Sequence, residues 1–350
     1  MLIFKSFDTT AMLGVTPLSR AQVSDSMVWE HLLTPTVKAM LGPLKELGEP
    51  RLFETTAGHF PGDEATNLNA HKIYGQEGFV RYPYISVCHR TTYGALVIKR
   101  DFRKIKVSAW VGDVDEGKAE CIFLVALRDR RYDGTKAAND CAFLTFPYEH
   151  VCNKPLAADL NSLEISIYSF LPGSRIKDAC GDLELDQFVE KPFTFRDRHE
   201  LFLKLFNKAW ASKRGPGQHA APIKDTAKVL LPGIETVAKH CGYDLLEAAA
   251  SHYHVAMWFM SSGFRVSYQH DVNTMRAIAA GLKRIRDKGT PLTRPQQSWV
   301  CVLQSLSDEQ ICPHLQLGIK WPQDNIAPDS LWLCKPLSAK GSKLLLPITK

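Results

Sequence analysis

The chain has 350 residues, of which 45% are hydrophobic and 23% are charged; this ordinary composition excludes a disordered or fibrous protein and predicts about two folded units. Residues 1–200 carry 24 Lys and Arg against 27 Asp and Glu, whereas residues 201–350 carry 19 against 10. The later part therefore holds a net charge of +9 and the earlier part −3. This surplus favours a polyanionic partner, most simply a nucleic acid. A solvated basic surface is the alternative.

The nine Cys residues include no Cys-x-x-Cys pair, and no His residues accompany them at the spacing of a zinc finger. Unpaired Cys residues of this kind predict reduced thiols in a cytoplasmic protein. Residues 1–8 lack the basic flank of a secretory signal, and no apolar run approaches the roughly 20 residues that span a bilayer. We expect a cytoplasmic protein with no membrane partner, and no pattern predicts a metal or a cofactor.

The first half of the chain is strand-like wherever it is regular. Runs of β-branched and aromatic residues between turn residues predict strands near 2–8, 85–100, 104–114, 120–131, 141–148 and 163–171. Two Gly- and Asp-containing stretches, 112–117 and 132–134, are typical hairpin connections, so the strands are expected to form a mostly antiparallel meander. Residues 41–84 are rich in Gly, Pro, Asn and Thr and predict a loop-rich insertion.

Aromatic and basic side chains are interleaved within this insertion and just after it, at Tyr74, Phe79, Arg81, Tyr82, Tyr84, His89 and Arg90. Such a pattern is typical of single-strand binding, because rings stack on bases while guanidinium groups meet phosphates. Arg81 and Arg90 are therefore candidate contacts. The alternative is that the rings anchor a long loop to the core.

Asp182, Glu184 and Asp186 alternate along the sequence before the helical half begins. On a strand, the three carboxylates would lie on one face and could hold a divalent cation. A solvent-facing strand edge carries such acids without any function. Neither a Gly-x-x-x-x-Gly-Lys loop nor a Gly-x-Ser-x-Gly elbow occurs in the chain, and no enzymatic activity is predicted.

After Pro192 the apolar period becomes helical. A first helix, opened by a capping box of Asp197 and Glu200 and ending before Gly215, has one apolar stripe formed by Phe202, Leu205, Phe206, Ala209 and Trp210. Further helices are predicted over 224–240 and about 244–262, followed by a strand over 264–268 and a helix over about 272–287.

The last of these helices is predicted to be amphipathic. Its apolar face holds Met275, Ile278, Leu282 and Ile285, and its opposite face holds Arg276, Lys283, Arg284 and Arg286. A basic face of this kind is either solvated or occupied by a ligand. We expect these four residues and Arg265, in the preceding strand, to contact phosphates. Further candidates are Lys213, Arg214 and His219 in a flexible basic loop. The glycines of this loop let its backbone approach phosphate closely.

His252 and His254, with Tyr268 downstream, match the His-hydrophobe-His pattern of metal-dependent nicking enzymes. The pair can share a metal on a strand, where residues i and i+2 face the same side. Residues 245–250 favour a helix, on which the two side chains would point about 200° apart. A metal-dependent nicking activity therefore remains an alternative function.

Residues 242–259 resemble the helix that precedes a core strand in the backbone subunit of Cascade-like CRISPR effector complexes. The length of the chain, its opening strand, its loop-rich insertion and its later mixture of strands and helices are also similar to that family. After Trp258 and Phe259, where type I relatives tend to carry arginines, this chain has Met-Ser-Ser-Gly. The resemblance implies an RNA-recognition-motif-like palm in a non-nucleolytic subunit that polymerises along a guide RNA and presents its bases to target DNA.

The predicted fold is α+β, with an antiparallel sheet core, a palm of that kind, a large N-terminal insertion and a helical C-terminal half. The core is assigned to 1–40 and 85–290, the insertion to 41–84, and an irregular extension with seven Pro residues to 291–350. Expected partners are guide RNA, target DNA, copies of the chain and other effector subunits. Three alternatives stay open: a metal-dependent nicking endonuclease, a duplex-DNA-binding replication or partition protein that uses the basic helix, and a structural assembly protein.

Overall fold

The computed structural model describes residues 18, 22–33, 35, 50–53, 79–89, 92–100, 104–111, 120–129, 161–171, 173–266, 269–322 and 331–344. In this part of the chain one sheet of nine strands runs in the order β1-β2-β3-β4-β5-β6-β7-β9-β8. The strands are β1 Pro50–Phe53, β2 Phe79–His89, β3 Thr92–Arg100, β4 Lys104–Val111, β5 Glu120–Arg128, β6 Ser162–Ser169, β7 Leu245–Ala250, β8 Arg265–Val266 and β9 Leu331–Pro336.

The helices belong mainly to the later part of the chain. They are α1 Asp25–Val28, α2 Ile176–Cys180, α3 Leu183–Glu190, α4 His199–Ser212, α5 Thr226–His240, α6 Tyr253–Ser261, α7 Gln269–Asp287, α8 Arg294–Leu303 and α9 Ala339–Leu344. A π-helix, Trp29–Leu33, follows α1, and 3-10 turns occupy Pro192–Phe195, Asp308–Gln310 and Pro313–Leu315. Within the described residues, no helix is both long enough and apolar enough to cross a bilayer.

The predicted mixture of sheet and helices is confirmed, and β2 to β6 overlap the strands predicted between 85 and 171. Consecutive strands from β1 to β6 pair antiparallel, as expected of a meander. The sheet is nevertheless mixed, because β6 and β7 pair in parallel, with Ser162 opposite Leu245. A parallel pair needs a long crossover, and residues 170–244 supply it with helices α2 to α5. The strands predicted near 2–8 and 141–148 lie outside the described residues.

Two of the predicted helices have the expected buried faces. In α4, Phe202, Leu205, Phe206 and Ala209 are buried, and in α7, Met275, Ile278, Leu282 and Ile285 are buried. The predicted start of α4 is wrong, because the N-cap residue is Arg198 and no side chain caps the helix. The apolar period thus located the helices better than the capping pattern did.

Residues 245–250, predicted to be helical, form the strand β7 instead. Five of its six residues are buried and Ala249 is half-buried. A strand covered on both faces shows no polar alternation, and its Leu and Ala content suits a helix as well. Tertiary pairing with β6 and β9 overrides that local preference.

Two segments predicted to be irregular contribute to the sheet. Strand β9 lies between β7 and β8, within the stretch assigned to the C-terminal extension, and β1 lies within the stretch assigned to the loop-rich insertion. Four apolar residues at the start of β9 are buried, although nearby Pro residues suggested a loop. Residues 54–78, most of the predicted insertion, lie outside the described part of the chain.

Asp244 joins the ends of three strands at one edge of the core. Its carboxylate accepts hydrogen bonds from the backbone N of Asn161 (3.1 Å) and from the hydroxyl of Ser338 (2.6 Å), and lies 3.8 Å from the Lys340 ammonium. Its own carbonyl accepts from the backbone N of Leu337. These bonds connect the starts of β6 and β7 with the turn between β9 and α9.

Candidate nucleic-acid interface

Helix α7 presents a basic face to solvent. Arg276, Lys283, Arg284 and Arg286 are all exposed, while the opposite face is buried in the core. Lys283 donates to Asp287 at 2.6 Å, in a pair that is exposed on both sides. Such i,i+4 surface pairs contribute little stability, so a phosphate can compete for this ammonium.

The basic loop between α4 and α5 is tied to its surroundings by the Arg214 guanidinium, which donates to the carbonyls of Gln218, His219 and Ser174 at 3.1 to 3.3 Å. The indole N–H of Trp299 donates to the Arg214 carbonyl at 2.6 Å. Arg214 therefore holds the loop in shape, whereas Lys213, in a left-handed conformation at the end of α4, extends into solvent.

The same loop rests on His252 and His254. Gly217 has a φ of +78°, and a Cβ there would lie 2.9 Å from Cδ2 of His252, so glycine is required both for the conformation and for the close approach. The two imidazole rings are parallel within 5°, with centroids 6.1 Å apart, and Phe193 stacks on His252 from 5.9 Å.

Both histidines are held in the neutral form. Burial, with a smaller effect from His254, lowers the pKa of His252 to about 3, and burial together with the charge of Arg294 lowers the pKa of His254 to about 4. The Ser298 hydroxyl lies 2.8 Å from Nδ1 of His254 and accepts the His254 backbone N–H.

His252 is only 5% exposed beneath the loop. It therefore offers no open metal site of the kind that a nicking enzyme needs. The expectation that the pair lies on one helix is corrected, because His252 is the extended residue between β7 and α6. No group of three or more possible metal ligands occurs among the described residues, and Tyr268 lies outside them.

An open cleft of about 810 Å³ lies next to the basic loop. It is lined by the end of β6, by α2, by the end of α3 and by residues 217–222. His219, a candidate from the sequence, lines it and is half-buried. Burial lowers the pKa of His219, while the nearby Glu190 opposes that shift.

Tyr168 stands at this cleft as a 42% exposed ring. It stacks on Phe170 with centroids 5.9 Å apart and planes 11° apart. Strand β6 turns Leu163, Ile165 and Ile167 inward, so Tyr168 shares the solvent face with Glu164 and Ser166. Sequence reasoning missed Tyr168, although an aromatic residue on the polar face of an alternating strand was the available signal.

Charged residues of both signs surround the ring. Arg175 and Lys177 line the cleft together with Asp178 and Glu190, and an Arg175 guanidinium nitrogen lies 3.7 Å from a Glu190 oxygen. Two buried nitrogens here, Nε of Arg175 and Nδ1 of His219, have no hydrogen-bond partner among the residues that the structure describes. Buried polar atoms in this state are uncommon in native folds, and a bound ligand or an ordered water is one way to satisfy them.

The alternating acids Asp182, Glu184 and Asp186 do not lie on a strand but at the start of helix α3. Asp182 caps α3 by accepting from the backbone N of Leu185 (2.9 Å) and from Lys208 (2.8 Å). These two bonds lower the pKa of Asp182. Asp186 is buried and accepts from the backbone N of Lys177. The acids therefore stabilise a helix N-terminus, where negative charge is favourable, and hold α2 beside the cleft.

The residue before α6 lies against one wall of the cleft. Gly217, in the cleft wall, contacts His252. Burial raises the pKa of the next residue, Tyr253, and the charge of Arg286 partly opposes this effect. Arg265 is half-buried in β8. The side chain of Arg81 in β2 and the whole of Arg90 lie outside the described residues.

A scan of protein-family models, a search of curated proteins and a search of solved structures each found no match to this chain. Inference about function therefore depends on the chain's own residues.

Proposed function

We propose that the protein binds a single strand of nucleic acid, preferably RNA, and catalyses no reaction. The observation that carries this proposal is the exposed basic face of α7, formed by Arg276, Lys283, Arg284 and Arg286. The buried apolar face fixes the helix in the core, so the four cations project from a rigid support. Because the helix backbone is already fixed, only the side chains lose freedom when they contact phosphates.

The cleft supports a single strand over a duplex as the ligand. An exposed ring next to cations is the combination that binds unpaired bases, because a base in a duplex is not free to stack on a side chain. Tyr168 supplies such a ring at the cleft, which Arg175 and Lys177 also line.

The strand we propose is a guide RNA in a cytoplasmic effector complex. This part of the proposal extends the resemblance of residues 242–259 to the backbone subunits of Cascade-like complexes, with an RNA-recognition-motif-like palm, target DNA and other effector subunits as partners. In such an arrangement base pairing reads the target sequence, while the protein follows backbone charge and shape.

The test is a binding titration of RNA, single-stranded DNA and duplex DNA at several salt concentrations. A triple variant, Lys283→Gln, Arg284→Gln and Arg286→Gln, is compared with a control of equal charge change, Lys204→Gln, Lys228→Gln and Lys239→Gln, at exposed positions on α4 and α5. For single strands each lost phosphate contact reduces the slope of log affinity against log salt by about 0.7, so the first variant is expected to lose roughly 2 units of slope.

The control is expected to keep the wild-type slope. Equal losses in both triple variants would show that binding follows net charge and not the basic face. Absence of binding to all three nucleic acids at low salt would overturn the proposal, and preference for duplex would favour the duplex-binding alternative.

A further inference from the structure

Residues 318–320 form a short arch whose two ends are anchored in the core. On one side Leu317 is buried, and its backbone N–H donates to the side-chain oxygen of Gln304 at 2.8 Å. On the other side Trp321 is buried and packs edge-on against Tyr253, with ring centroids 6.4 Å apart. The arch therefore has a fixed shape before any ligand binds.

Three successive backbone N–H groups of the arch, those of Gly318, Ile319 and Lys320, have no acceptor among the residues that the structure describes. Gly318 has a φ of +71° and the chain bends at this point. Successive N–H groups around such a bend converge on a concave site that suits an anion. Gly318 and Lys320 are exposed, so an anion can approach from solvent.

The basic face of α7 borders the arch. A Cβ at Gly281, on α7, would lie 2.8 Å from Cδ2 of Leu317 and 3.5 Å from Nη2 of Arg284, so these two side chains meet at the same glycine. Three residues of chain span at most about 10 Å. Lys320 is therefore within reach of the phosphate that Arg284 contacts or of the next one along the strand.

The groups that converge at the arch are all donors. Three N–H groups are accompanied by the ammonium of Lys320 and the guanidinium of Arg284, and both side chains are exposed. The nearby acid at the end of α7, Asp287, already accepts from Lys283. A ligand here must supply oxygen acceptors and negative charge, and a phosphate supplies both.

We propose that the arch binds one phosphate of the RNA strand through its three backbone N–H groups, with Lys320 and Arg284 on either side. This inference rests on the proposed function, because the phosphate belongs to the strand that α7 holds. Backbone contacts of this kind carry no sequence information but fix the register and direction of the strand. The arch therefore extends the interface from a helix face to a rigid anchor beside it.

The first test removes the cation of the arch. Lys320→Gln is compared with Lys224→Gln, an exposed lysine before α5, in titrations of a short oligouridylate by fluorescence anisotropy at several salt concentrations. Lys320→Gln is expected to reduce the slope of log affinity against log salt by about 0.7, the loss of one phosphate contact. Lys224→Gln is expected to keep the wild-type slope.

The second test changes the shape of the arch without changing its charge. Gly318→Ala introduces a side chain at a left-handed φ, which alanine disfavours, and no atom lies within 4 Å of the new Cβ. Gly242→Ala is the matched control, because Gly242 has a φ of +73° and is equally uncrowded. Gly318→Ala is expected to weaken RNA binding roughly tenfold, the loss of about one hydrogen bond to a charged group, and Gly242→Ala is expected to leave it unchanged.

The third test observes the backbone N–H groups themselves, by NMR of protein labelled selectively in glycine, isoleucine and lysine. Added RNA is expected to shift the amide resonances of Gly318, Ile319 and Lys320. RNA binding that leaves these resonances and the Lys320→Gln slope unchanged would overturn the arch inference alone. Shifts caused by inorganic phosphate but not by RNA would also overturn it, since the arch would then bind a free anion. Absence of RNA binding by the wild-type protein would overturn the proposed function itself.

Discussion

His252 and His254 show how single residues can hold a surface loop. Their rings are buried and parallel, and Gly217 sits directly against the first of them. Nδ1 of His252 is buried, and no described residue is its hydrogen-bond partner, so this part of the chain offers no acceptor for a second proton. Protonation of either ring would place a charge beneath the loop that forms one wall of the cleft.

The burial of His252 and His254 predicts that the fold loses stability at acid pH. In the unfolded chain both histidines titrate near pH 6.5, whereas in the folded protein their pKa values are about 3 and about 4. A lowered pKa means that the unfolded state binds protons first, so stability is complete above the unfolded value and falls as the pH drops towards the folded values. Between pH 7 and pH 5 the titration of each histidine is expected to lower the free energy of unfolding by about 2 kcal/mol.

Urea unfolding at several pH values between 7 and 5 measures this effect. His252→Leu is expected to lose about half of the pH dependence, whatever its stability at pH 7. His314→Gln, which replaces an exposed histidine, is the control and is expected to retain the full dependence. A wild-type free energy of unfolding that does not change over this range would contradict the prediction.

At the scale of elements, helix α5 is joined closely to the N-terminal segment. The backbone oxygen of His31, in the π-helix, approaches Gly233 so closely that a Cβ there would collide with it. His240, at the end of α5, lies 3.0 Å from the carbonyl of Gln22. In the same N-terminal segment the side chains of Leu18, Val23, Val28 and Leu32 are fully buried.

Gly233→Ala is therefore expected to destabilise the fold, although alanine favours a helix over glycine by about 1 kcal/mol. Backbone cannot move aside cheaply, and overpacking of this kind costs about 1 to 3 kcal/mol. Gly281→Ala in α7 is the matched control, since its Cβ would meet side chains and not backbone, the nearest atom being the end of the Leu317 side chain at 2.8 Å. Thermal unfolding compares the two, and equal effects would contradict the predicted role of the His31 contact.

The two best-predicted helices, α4 and α7, each have one buried and one exposed face, and their apolar residues recur at helical spacing. Sequence periodicity reports this difference between faces directly. Strands β7 and β9 were not predicted because both are buried along most of their length. Without an exposed face there is no alternation to detect, and the pairing that makes them strands comes from distant residues.

The candidate site also has one part that the sequence predicts and one part that it does not. The basic face of α7 follows from spacing alone, whereas the cleft joins Tyr168, Arg175, Glu190 and His219 through the parallel crossover between β6 and β7. No local pattern can reveal which distant segments such a crossover brings together. The structural role of Arg214 was hidden for a similar reason, since one of its acceptors, Ser174, lies 40 residues away in the chain.

For the molecule as a whole, the opposite charges of the earlier and later parts of the chain bear on assembly. A net charge of −3 on residues 1–200 and +9 on residues 201–350 favours association between unlike parts of neighbouring copies. This charge distribution agrees with the expectation from the Cascade-like resemblance that several copies line one RNA strand.

Mass photometry tests this assembly with a short RNA and with RNAs two and three times as long. The number of bound copies is expected to rise in proportion to RNA length, and the complexes are expected to dissociate at high salt because both contacts are electrostatic. Without RNA, the same protein concentration serves as the control. A single bound copy at every RNA length would contradict the expected polymerisation.

Strand β9 lies between β7 and β8, although it follows both in the chain. During synthesis, β7 has an open edge and the two-residue β8 has no partner strand until residue 336 has left the ribosome. Uncovered strand edges invite pairing with other chains, and closure that depends on distant segments is slow. Newly made polypeptide is thus expected to need protection by chaperones until its late strand docks.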